Sequence, residues 1–117
     1  MASWAFTLPI PAERVEELRE LLAEVSEPGR TAGLARRARF AGYHRERMFL
    51  QAGEGGAFLI VYLELDEDVD PQEFQRRLMS YQDEWTAWWD PRYTSFFQGR
   101  LPVPAELLFA WDDSPRR

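Results

Sequence analysis

The chain has 117 residues, the size of a single domain, and contains no cysteine, which excludes disulfides, thiolate metal sites and cysteine nucleophiles. The net charge is −6 and all 14 basic residues are arginine, so non-specific nucleic-acid binding is not expected and Schiff-base, pyridoxal and P-loop lysine chemistry is excluded. The longest apolar run, residues 58–63, falls far short of the ~20 residues of a membrane helix, so a cytoplasmic protein without a membrane partner is expected.

Residues 3–8 alternate Trp4, Phe6 and Leu8 with Ser3, Ala5 and Thr7, which is a strand pattern ended by Pro9 and Pro11. Val15, Leu18, Leu22 and Val25 then recur at helical spacing, with Glu13, Glu16 and Glu17 favouring the helix N-terminus. Pro28 and Gly29 stop that helix. Residues 31–40 read as a shorter one, with Leu34, Ala35, Ala38 and Phe40 on its apolar side. Arg30, Arg36, Arg37 and Arg39 make a polar side that reads as a solvated face rather than an anion site. Residues 44–51 and 57–65 are two strands joined by a glycine-rich hairpin turn, the second apolar on both faces and therefore central.

The acidic loop 66–70 lacks the glycine and distal glutamate of a calcium loop. Asp70 reads instead as a helix N-cap, with Pro71 at the first helical position and Glu73 completing a capping box. A helix over 71–89 carries Phe74, Leu78, Tyr81, Trp85 and Trp88 on one stripe and is broken by Asp90 and Pro91. Residues 106–111 form a last strand, and 113–117 are a polar tail. The order strand, helix, strand, strand, helix, strand predicts one α+β domain over residues 1–112. Its fold is ferredoxin-like, βαββαβ, with a four-stranded antiparallel sheet and both helices on one face. The other face needs a cover, and a second copy packed sheet to sheet supplies the simplest one, a homodimer.

Four residues are candidates for catalysis: His44, Glu46, Tyr62 and Glu64. The single histidine, His44, is a general base, a haem ligand or only a polar strand-end residue. Being alone it excludes multi-histidine metal sites, so no metal and no cofactor is expected. Tyr62 and Glu64 share one face of their strand. If Leu50 pairs with Phe58, Glu46 faces Tyr62 and His44 faces Glu64, assembling a proton-transfer cluster; this register is favoured because it keeps Met48 beside Ile60. If Gln51 pairs with Phe58, Arg47 and Arg45 face Tyr62 and Glu64 as ordinary ion pairs. Gln51, Tyr81, Trp85 and Trp88 are candidate ligand-binding residues for a small hydrophobic or aromatic molecule, although an aromatic stripe at helical spacing is more often core. Because Trp88 and Trp89 are adjacent, one of them is expected to leave the core.

Two stretches are similar to a known family. The run Glu46, Arg47, Met48, Phe49, Leu50, Gln51, a glycine-rich turn, and the run from Phe58 to Glu64 resemble a family of small uncharacterised bacterial proteins in the dimeric α+β barrel superfamily. The likeness continues to Asp83, Glu84 and Trp85 and covers about half the chain; residues 91–104 depart from the shorter family pattern. The resemblance implies a dimer with a pocket between sheet and helices. That superfamily includes cofactor-independent monooxygenases of antibiotic biosynthesis, isomerases and haem-binding proteins, so it implies no single reaction. The reading that follows is a small-molecule-binding dimer working by proton abstraction, with Glu64 at the wall of its cavity. The alternatives are a non-enzymatic interaction module with a filled interior and a haem-binding protein.

Overall fold

The computed structural model describes residues 2–113. Strands β1 (Ser3–Pro11), β2 (Tyr43–Gly53) and β3 (Gly56–Leu65) form one antiparallel sheet in the order β1-β3-β2, with β3 in the middle as its two-sided apolar pattern requires. Helices α1 (Val15–Val25), α2 (Pro28–Ala41), α3 (Pro71–Ser80) and α4 (Glu84–Thr94) accompany it, together with the short 3-10 turns Ala12–Arg14 and Ser95–Phe97.

One face of the sheet is the core. Trp4, Phe6 and Leu8 lie opposite Leu63, Val61 and Leu59, and all six are buried against Leu18, Phe74, Trp89 and other helix residues. The alternation that buries this set leaves the opposite face bare, where Phe49 and Phe58 remain 56% and 45% exposed.

Five expectations are corrected. The hairpin pairs Gln51 with Phe58, not Leu50 with Phe58, so Arg47 and Arg45 lie opposite Tyr62 and Glu64. The turn decides this: Gly53 pairs with Gly56, which leaves Glu54 and Gly55 as a two-residue loop with Gly55 at φ 73°. Met48 then joins Val61 on the core side, and Phe49 joins Ile60 on the bare side.

The long helix expected over 71–89 is two helices. Tyr81 is extended, and Asp83 starts α4 afresh with a capping box, its carboxylate accepting from the Thr86 N–H while the Thr86 hydroxyl accepts from the Asp83 N–H. Pro91 lies inside α4 instead of ending it; Tyr93, a turn beyond Trp89, stacks on that indole at 4.7 Å. Pro28 likewise opens α2 rather than only closing α1, because proline suits the first helical position.

The strand expected over 106–111 is not formed, so the described sheet has three strands. Near that segment, Ala105 N–H donates to the Ala5 carbonyl on the free edge of β1 at 2.6 Å. Of the polar tail, 114–117 lie outside the described residues.

Candidate functional site

A β-bulge sorts the candidate residues. Tyr43 pairs with Leu65 and Arg45 with Glu64, so His44 is an extra residue in β2. The insertion resets the alternation. Tyr43 and Glu46 point to the helix side, while His44 and Arg45 both stay on the bare side. The four residues expected to act together are thereby divided: His44, Tyr62 and Glu64 gather on one face, and Glu46 stands alone on the other.

On the helix side, a pocket of about 270 Å³ opens between α1, α2, α4 and β2. Its walls are Leu22, Val25, Leu34, Met48 and Trp89, with Glu46 and Ser26 as the polar contribution. Glu46 lies in the row of Leu63 and Trp4, where an apolar residue is the rule. Its Oε1 is buried and has no hydrogen-bond partner. Burial pushes the carboxyl well above the usual carboxylate range, and the Arg37 guanidinium and the Tyr43 hydroxyl only partly pull it back.

The surroundings of Glu46 respond in turn. Burial and the Glu46 charge raise the Tyr43 phenol to about 12, and burial with the same charge raises Tyr93 as well. Arg37 is itself 8% exposed and approaches Asp90 only at 4.0 Å. Its Nε and the indole N–H groups of Trp85 and Trp89 are also buried without partners. Three N–H donors and one carboxylate oxygen left unpaired in one region of a core are costly, at about 1–3 kcal/mol each. Each such group in a core calls for a specific explanation.

On the bare side, Glu64 is the hub. Tyr62 donates to its Oε2 at 3.0 Å, Arg45 approaches the same oxygen at 3.2 Å, and His44 Nε2 lies 3.5 Å from Oε1. His44 Nδ1 meets Asp66 at 3.0 Å. Partial burial alone would raise the Glu64 carboxyl, but Tyr62, Arg45 and His44 together hold it below the ordinary range; Tyr62 is raised by burial and by its bond to Glu64.

Glu64 lines neither this pocket nor a second one of about 220 Å³ beside the hairpin turn. Gln51 is exposed opposite Phe58 on the bare face. Tyr81 donates to Asp83 at 2.8 Å and packs on Phe40. Trp85 and Trp89 are the buried pair, stacked at 5.6 Å, and Trp89 rather than Trp85 or Trp88 reaches the pocket wall. Trp88 is the half-buried one of the three, packed at the margin of the core with the Arg30 guanidinium 3.8 Å above its ring.

No protein-family model and no curated protein matches the chain.

Sequence reasoning missed Arg37 and Tyr43 as neighbours of Glu46. A signal for Arg37 was present: Leu34, Arg37, Ala38 and Ala41 recur at helical spacing, which puts one of the four arginines on the buried stripe of α2. For Tyr43 the signal was weaker, since its inward direction depends on the bulge at His44.

Proposed function

We propose that this protein binds a small, largely apolar molecule in the pocket between β2 and helices α1, α2 and α4, and that Glu46 exchanges a proton with it. The carrying observation is a carboxyl group set into an apolar pocket wall, with one oxygen unpaired and its proton affinity raised. A carboxylate in that state is a stronger base than one in water, as general base catalysis at neutral pH requires. The pocket volume lies just below the ~300–1,000 Å³ usual for ligand sites, which fits a compact ligand. The chemistry is then proton abstraction of the cofactor-independent oxygenase or isomerase kind. The bare sheet face, with Phe49 and Phe58 exposed, supports pairing of two copies through their sheets.

The bare-face cluster supports a second reading, in which His44, Tyr62 and Glu64 transfer the proton. Its observation is the bulge that brings all three within hydrogen-bonding or ion-pair reach. The haem reading gains no support: both ring nitrogens of His44 face carboxylates, which leaves neither for iron.

Native mass spectrometry of the purified protein, followed by denaturation, tests for a retained ligand. On the ligand so identified, Glu46→Gln should reduce turnover at least a hundredfold while Glu64→Gln changes it less than threefold. The reverse result would move the reaction to the bare face, and an interior that takes up no small molecule would favour the interaction module.

A further inference from the structure

The segment after the last 3-10 turn is the least satisfied part of the chain. Leu101, Val103, Leu107, Leu108, Phe109 and Trp111 are 65–86% exposed, six large apolar side chains within eleven residues. No regular secondary structure holds them. Their subunit offers the Ala105–Ala5 hydrogen bond at the free edge of β1, and that bond buries none of the six. Two features argue that their cover lies elsewhere. The pattern of 106–111 is that of a strand, and the same chain carries a bare sheet face with exposed Phe49 and Phe58.

We infer that residues 101–111 are an arm that crosses to a second copy of this chain and lies over the bare face of that copy's sheet. The inference rests on the pairing of two copies proposed above and places each copy's arm, rather than its sheet, against the other's bare face. The areas agree with this occupant. Phe109 and Trp111 alone offer about 300–500 Å², and the four aliphatic side chains bring the arm close to the ~800 Å² that each partner of a stable complex contributes. One charge agrees too: Arg45 is already paired with Glu64, but exposed Arg47 gives the receiving face a cation and exposed Glu106 gives the arm a carboxylate. Reciprocal crossing satisfies two-fold symmetry, since each copy gives one arm and receives one. Each apolar surface then covers the other.

The test is the oligomeric state of the full chain by light scattering across a concentration series. The wild type should be a dimer, and Phe109→Asp and Phe49→Asp should each raise the dissociation constant at least tenfold. Both positions are exposed, so the fold of each subunit is retained, which circular dichroism checks. Because the chain has no cysteine, Phe109→Cys copies mixed with Phe49→Cys copies should give a mixed disulfide dimer on oxidation. A wild-type dimer undisturbed by Phe109→Asp, or an absent mixed disulfide, would overturn the arm while leaving sheet pairing in place. A monomeric wild type would overturn both, and the pocket would still answer to its own test.

Discussion

Glu46 and Glu64 belong to the same hairpin, yet their carboxyl groups shift in opposite directions because one is buried without adequate partners and the other is held by three. The sign has a consequence for stability. A carboxyl whose proton affinity is raised by folding destabilises the folded state as pH climbs above its unfolded value near 4.5, and each unit of rise corresponds to about 1.4 kcal/mol. Replacing Glu46 by the neutral Gln should therefore raise the melting temperature at pH 7 and leave it nearly unchanged at pH 3, where Glu46 is protonated in both states. Parallel thermal melts at the two pH values check this; an equal change at both would assign the effect to packing. The residue types of the site were legible in the sequence, but their partners were not. One inserted residue at His44 decides which side chains meet, and nothing in the run of Tyr43, His44, Arg45 and Glu46 announces a bulge.

At the scale of elements, α2 and α4 are held together through Gly33. A methyl group there would collide with the ring of Trp85. Alanine is the better helix former by about 1 kcal/mol, yet overpacking a closed contact costs about 1–3 kcal/mol or more, and Trp85 lies between its stacked neighbour Trp89 and the Arg37 guanidinium. Gly33→Ala should thus destabilise the fold by up to about 2 kcal/mol net, measured by denaturant titration; an increase in stability would show that α4 shifts freely. The three strands of the sheet, α1 and the Asp70 cap were readable from alternation, helical spacing and capping chemistry. The split between α3 and α4 was not, because Tyr81 continues the aromatic stripe while the Asp83 cap competes locally and wins. The last strand failed for a different reason: alternation in 106–111 specifies a strand pattern but supplies no sheet edge to pair with.

For the molecule as a whole, the net charge of −6 means that two copies repel one another at long range. An association driven by apolar faces and opposed by like net charge tightens when salt screens the repulsion. Raising ionic strength from about 0.02 to 0.2 M should lower the dissociation constant of the proposed dimer several-fold, as sedimentation would show; weakening instead would place the attraction in ion pairs such as one between Arg47 and the arm. The aromatic row from Trp85 through Trp89 and Tyr93 to Phe97 carries a last consequence. Rings stacked at 5.6 and 4.7 Å couple their electronic transitions, so part of the far-ultraviolet dichroism of this protein arises from side chains and not from its backbone. Helix content taken from that spectrum alone will be misjudged. Because Trp89 is also a wall of the pocket, the same coupling makes the molecule its own optical reporter of whatever enters there.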